Sequence, residues 1–269
     1  MRFGLFGGAF DPLHNEHVEI LELAHKMLKT DAIILVPSHN PPHKDKRLAP
    51  FAKRLEMLNE YFADKSHVII DDIESVRDIS DNYACEIIPV IKEKYGGNFV
   101  YIIGGDSLAD IETWRNPKDI IANTPIVAIA RPGFGDLHKK ARELNAQYGG
   151  KVSVIEYSGE GVSSSEIKAK IETGITQNVP VPNQVLEYII KNGLYTEHKD
   201  IVYKLKKNIS NELFEHCART AIFASHYAGM LRLGFRKVFL AALLHDCAKE
   251  MKPLKSEYPT KSSKVIHQY

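Results

Sequence analysis

Through the first 160 residues, six short apolar runs rich in β-branched residues alternate with longer segments of helical periodicity. The runs are RFGLFG (2–7), AIILVPS (32–38), HVIID (67–71), FVYIIGG (99–105), PIVAIARPG (125–133) and VSVIEYSG (152–159). They are nearly continuous in apolar residues rather than alternating, which is the pattern of strands buried on both faces. Between them lie HVEILELAHKML, FAKRLEMLNEYF, NYACEIIPVIKEKY and LHKKARELNAQY, all with helical spacing. Strand and helix in alternation predict an α/β fold with a Rossmann-like, doubly wound parallel sheet. Sheets of this kind bind ligands beyond the carboxyl ends of their strands.

After residue 160 the pattern changes. SSSEIKAKI starts a helix with serines at its N-terminus, and PVPNQVLEYIIKNGLY reads as a helix that stops at Gly193. The polar TEHKD (196–200) reads as a boundary, dividing the chain into 1–196 and 197–269. Beyond it IVYKLKKNI, LFEHCARTAIFASHYAGML and RKVFLAALLHDCAKEM all read as helices, a small all-α segment.

Lys and Arg number 35 against 34 Asp and Glu, so the chain carries no basic footprint for a nucleic-acid partner. No apolar run approaches the ~20 residues that span a bilayer, and the N-terminus is not a signal peptide. The three cysteines, Cys85, Cys217 and Cys247, lie far apart without CxxC spacing and read as reduced thiols. The expected location is the cytoplasm. Homo-oligomerisation is left open.

The candidate site opens the chain. In FGLFGGAFDPLHNEH (3–17) a strand pattern ends at Gly7 and Gly8, and His14 and His17 follow three residues apart. Glycines let the backbone come close to a bulky ligand. A helix starting near Asn15 offers N–H groups and a positive pole to an anion. Paired imidazoles there can donate to oxygens that gain charge in a transition state. The glycines match neither GxGxxG nor GxxxxGK[ST], which disfavours a dinucleotide dehydrogenase and a P-loop NTPase. A zinc site lacks a third ligand nearby.

GGAFDPLHNEH resembles the GG(T/S)FDPxHxGH opening of the HxGH nucleotidylyltransferases. PPHK (41–44), GGDSLADIETW (104–114), ARPG (130–133), SSSEIK (163–168) and VLEYIIKNGLY (185–195) follow in the order seen in bacterial nicotinate-nucleotide adenylyltransferases. The resemblance implies that ATP and nicotinate mononucleotide give deamido-NAD and pyrophosphate, with Mg²⁺ arriving on ATP. It implies His14 and His17 as catalytic residues. Gly7, Gly8, Phe10, Asp106, Arg131, Ser163, Ser164 and Ser165 would bind ATP. Lys44, Tyr83, Ala84 and Trp114 would bind the mononucleotide. Read as residues alone, the serines could be a plain helix cap, Asp106 a cap, Trp114 core, and Lys44 and Arg131 ordinary surface cations.

Three departures from that pattern matter. Lys168 stands for arginine, keeping charge but losing the bidentate fork. Asn82, Tyr83 and Ala84 replace Ser-Tyr-Thr, which bears on the choice between acid and amide. Glu16 replaces the glycine of HxGH. Facing a phosphate at ~4 Å with an effective dielectric near 20, its charge would cost about 4 kcal/mol per pair. Transfer therefore requires Glu16 to point away from the phosphates, as a helix-start residue.

The second segment carries His216 early in one helix, with His245 and Asp246 at the end of another. The arrangement resembles the HD-domain phosphohydrolases, especially symmetrical dinucleoside-tetraphosphatases. It implies that His216, His245 and Asp246 hold a transition metal, and His267 matches a further histidine of that family. A further aspartate of the family pattern lies beyond Tyr269, so the expectation is an incomplete HD remnant or a fragment of a longer protein. Other readings are a nucleotide-binding sensor silenced by Glu16, a metal-dependent hydrolase acting through this segment, and a sister transferase acting on a phosphate such as phosphopantetheine.

Overall fold

The computed structural model describes residues 1–39, 48–76, 83–130, 135–159, 161–231 and 233–250. It divides into two compact units, Met1–Gly161 and the chain from Val162 onward.

In the first unit the expected sheet is present. Strands β1 (Arg2–Gly8), β2 (Ala32–Pro37), β3 (Val68–Ile70), β4 (Asn98–Gly104), β5 (Ile126–Ala130) and β6 (Val152–Glu156) pair in the order β3-β2-β1-β4-β5-β6. Every pairing is parallel. Helices α1 (Asn15–Leu28), α2 (Phe51–Phe62), α3 (Ile73–Val76), α4 (Ala84–Tyr95), α5 (Gly105–Asp110), α6 (Pro117–Asn123) and α7 (Leu137–Tyr148) lie between strands, with a 3₁₀ turn at Ile111–Thr113. Every residue of β2 and β5 is buried, which accounts for their unbroken apolar runs. Ile33, Ile34 and Leu35 are sealed from solvent, and each contributes about 1.5–3 kcal/mol by burial. One large cluster, including Phe3, Leu5, Ile34, Ile88, Ile91, Ile103 and Ile126, forms a core against the sheet. The strand order reverses between β1 and β4, where Phe6 registers with Ile102. The ends of both strands open at that reversal.

The second unit contains α8 (Ser164–Glu172), α9 (Asn183–Lys191), α10 (Lys199–Asn208), α11 (Asn211–Met230) and α12 (Phe235–Leu244). Its core joins Ala169 of α8 to Val202 and Leu205 of α10, Phe214, Cys217 and Ala221 of α11, and Phe239 and Leu243 of α12. The compact units therefore divide at Gly161 rather than near residue 197, because the buried face of α8 packs in the core of the later helices. The polar stretch around 196–200 is a turn within that unit.

The last helix is also shorter than its sequence pattern. It ends at Leu244, and the chain continues through i→i+3 turns, Cys247 N–H to Leu244 O at 3.2 Å and Lys249 N–H to Asp246 O at 3.0 Å. The His245 Nδ1 bonded to Ala242 O at 2.8 Å fastens the ring at this turn.

Candidate active site

The two glycines at the end of β1 have different reasons to be there. A Cβ on Gly8 would meet the Phe10 ring at 3.2 Å, so the glycine makes room for that ring. Phe10 is buried with φ +45°, a left-handed backbone costly for an aromatic residue. Edge contacts hold it, with ring centroids 5.7 Å from Phe6 and 5.2 Å from His17. Around Gly7, by contrast, a Cβ would come no closer than 3.9 Å to its nearest neighbours among the described residues, and the residue is exposed. Packing among the described residues does not require glycine at 7.

His14 and His17 form the start of α1 as a reciprocal pair. His14 is the N-cap, and its Nδ1 accepts from the His17 amide at 3.3 Å; the His14 amide donates to His17 Nδ1 at 3.4 Å. The rings stack with centroids 3.6 Å apart. A nitrogen that accepts from an amide carries no proton, so each neutral ring bears its proton on Nε2. Both imidazoles are thereby set as Nε2–H donors.

Glu16 is 2% exposed and lies on the face of α1 that also buries Ile20 and Ala24. It stands in the first turn, as the helix-start reading expects, but turned into the protein rather than to solvent.

At the end of β4, the Asp106 carboxylate folds over Gly104, into the place a Cβ there would take. Asp106 is exposed and caps no helix; the N-cap of α5 is Gly104, without a side-chain bond. Tyr101, on the same strand, has its hydroxyl 3.9 Å from the Gly7 Cβ position and its ring edge-on to Trp114 at 6.3 Å. Burial, with the nearby Glu74 carboxylate adding to it, pushes the Tyr101 phenol well up, so it remains a protonated donor. Trp114 is half-buried against the core. Its neighbour Arg115 lies over the Tyr83 ring at 4.9 Å and pairs with Glu86 at 3.3 Å. Tyr83 is the N-cap of α4, and its side chain makes no cap bond to the helix that begins at Ala84.

Sequence reasoning missed Arg54. It is 1% exposed on α2, and its guanidinium donates to Ala9 O at 2.7 Å, Ala49 O at 3.0 Å and His39 O at 3.5 Å. The Asp11 carboxylate takes the Ala49 amide at 3.0 Å. This clamp fastens the loop after Gly8. Its signal was in the sequence: Arg54, Met57 and Leu58 share one helical face, and a cation on an apolar face points to carbonyl partners.

In the second unit, Ser163 is the N-cap of α8, followed by Ser164 and Ser165, and Ser163 makes no side-chain cap bond. Lys168 lies over the Tyr195 ring at 5.3 Å. His216, His245 and Asp246 come together with ligand atoms within 4.8 Å of one another. The two Nε2 atoms are 3.2 Å apart, and Asp246 Oδ2 is 3.4 Å from His216 and 3.3 Å from His245. Lys249 donates to Asp246 at 2.6 Å and holds its carboxyl below the usual range, with His245 and His216 adding to the effect. Two imidazoles and a carboxylate are a donor set suited to a transition metal. Lys44, Asn82, Arg131 and His267 lie outside the described residues. Among the described residues, no helix is long and apolar enough to cross a membrane.

A parallel sheet of this order, with donor imidazoles at a helix start beside its reversal point, defines an α/β protein built to hold nucleotide phosphates. The chain belongs to the cytidylyltransferase-like family, whose model matches residues 5–170, and within it to the nicotinate-nucleotide adenylyltransferases. It is 30% identical over 197 residues to a "Probable nicotinate-nucleotide adenylyltransferase" of Lachnoclostridium phytofermentans, covering 72% of this chain and 98% of the relative. A protein of the same description from Exiguobacterium sibiricum is 32% identical over 196 residues, covering 72% and 99%. Among solved structures, Plasmodium falciparum nicotinic acid mononucleotide adenylyltransferase complexed with APC has the same fold. Its TM-score is 0.60 at 19% identity, covering 72% of this chain and 96% of that one.

Proposed function

We propose that this chain transfers the adenylyl group of ATP to nicotinate mononucleotide, giving deamido-NAD and pyrophosphate. The observation that carries the reading is the His14–His17 pair. In this reaction a phosphate oxygen of the mononucleotide bonds to the α-phosphorus of ATP as the bond to pyrophosphate breaks. The attacking phosphate is already ionised, so no base is needed. The reaction asks for position and for donors to the oxygens that gain charge. Two imidazoles locked as Nε2–H donors supply that, and neither is set up to take a proton.

Gly7 and Gly8 let the nucleotide lie against the end of β1, Phe10 sets the loop between them and His14, and Asp106 accepts from a ribose hydroxyl. Ser163, Ser164 and Ser165 bind the β- and γ-phosphates with hydroxyls and first-turn amides. Trp114 stacks on the pyridine ring. Ala84 lacks the hydroxyl of the usual threonine, so its amide and that of Tyr83 carry recognition of the nicotinate carboxylate at the start of α4, which favours the acid over the amide. Lys44 and Arg131 add positive charge for phosphate. Mg²⁺ travels with ATP, held by phosphate oxygens and water, which fits a site whose two imidazoles are donors rather than ligands.

We assign residues 1–196 to the adenylyltransferase, working in the cytoplasm, and the remainder to an HD-like segment. His216, His245 and Asp246 would hold a transition metal, which when bound activates water. The convergence of the three side chains supports this second reading.

The test is pyrophosphate release from MgATP with nicotinate mononucleotide and, separately, nicotinamide mononucleotide. Turnover with the acid exceeding that with the amide is expected. ATP binding without turnover on either would overturn the assignment and favour the sensor.

A further inference from the structure

The sequence Ser163-Ser-Ser-Glu166 has the form of a capping box, in which the serine takes the amide of the fourth residue and the glutamate reaches back to the amide of the serine. The box does not form. Ser163 makes no side-chain cap bond, and both Glu166 oxygens are taken elsewhere. Oε1 pairs with Lys170 one turn further along α8 at 3.0 Å, and Oε2 with His226 Nδ1 of α11 at 3.1 Å. A carboxylate only accepts, so His226 Nδ1 is the donor. Lys170 draws the carboxylate toward the second turn, and with His226 on the other oxygen neither is left for the first amides of the helix. The three side chains are only part-exposed, at 28% for His226, 26% for Glu166 and 21% for Lys170.

We propose that His226 is a positioning residue for adenylyl transfer: by holding Glu166 it prevents the capping box and keeps the start of α8 available to the ATP triphosphate. The inference rests on the reading of Ser163–Ser165 as the triphosphate site. A carboxylate closed over those amides would both occupy the donors and repel the incoming phosphates. His226 lies outside the stretch matched by the family model, residues 5–170. The helices after residue 197 therefore do more than follow the transferase, since one of them sets the electrostatics of its phosphate-binding helix.

Steady-state kinetics on the full chain test this. His226→Ala should raise KM for MgATP about threefold to tenfold, the scale of one helix cap, while kcat and KM for the mononucleotide change by less than about twofold. His226→Gln, which keeps a donor, should restore most of the loss. The decisive variant is His226→Ala with Glu166→Ala, because removing the competing carboxylate should return KM for ATP close to wild type. A loss of packing would not be repaired that way. If the double variant is no better than His226→Ala, or if His226→Ala leaves KM unchanged, the proposal fails. Ser164→Ala with Ser165→Ala separates the underlying reading: if that pair leaves KM for ATP unchanged, the serine site itself is wrong.

Discussion

The protein carries two histidine clusters that are built for opposite charges. At the start of α1, His14 and His17 are stacked, and each Nδ1 is committed to a backbone amide. Their outward nitrogens are donors, and donors suit phosphate. At the end of α12, His245 Nδ1 is tied to a carbonyl, while its Nε2 faces His216 Nε2 and the Asp246 carboxylate. There three ligand atoms converge, and two imidazoles with a carboxylate suit a cation. Spacing makes histidines neighbours, but the partner of the other ring nitrogen decides what they can hold.

The largest expected effect separates the clusters by activity. His14→Ala should lower kcat for adenylyl transfer about 100-fold or more, the loss seen when one transition-state donor is removed. The same change should cost about 1 kcal/mol of stability by removing the N-cap. His216→Ala should leave kcat within about twofold, since no step of the transfer uses it. Equal losses in the two variants would erase the distinction.

Metal titration sharpens it from the other side. Wild type should bind one equivalent of Mn²⁺ or Co²⁺ at the second cluster, and His245→Ala none, with His14→Ala unaffected. Lys249→Met should tighten binding about threefold by removing the ammonium that competes for Asp246. Calorimetry reads both. Metal retained by His245→Ala and lost by His14→Ala would reverse the assignment.

Within the first cluster the glycines should part company. Gly7→Ala should change the melting temperature by less than about 2 °C yet raise KM for ATP about tenfold. Gly8→Ala should lower the melting temperature by several degrees, about 1–3 kcal/mol, because the new methyl meets the Phe10 ring. Thermal denaturation beside kinetics distinguishes them.

The smallest effect is expected at Glu16. Glu16→Gln should leave KM for ATP within about twofold, since the buried side chain lies on the Ile20 face of α1. A rise in kcat/KM above about tenfold would locate the charge among the phosphates.

Much of this was legible in the chain. Unbroken apolar runs such as AIILVP can only be strands covered on both sides, and their alternation with helices dictates a parallel sheet. A helix start three residues before a second histidine also placed His14 and His17 correctly. Those features depend on neighbours within one or two turns, which spacing specifies. Folding decided the rest, because the deciding partner is remote in sequence. Arg54 reaches Ala9 across 45 residues, and His226 takes Glu166 across 60. The capping box written into SSSE is a local preference worth about 1 kcal/mol, and two side-chain partners of Glu166 outweigh it. The amino-acid order alone determined the sheet, its helices and the residues at its open end. Which glycine makes room for a ring, which nitrogen keeps a proton and where Glu166 points depended on the tertiary structure, since packing and hydrogen bonding act between segments that only folding brings together.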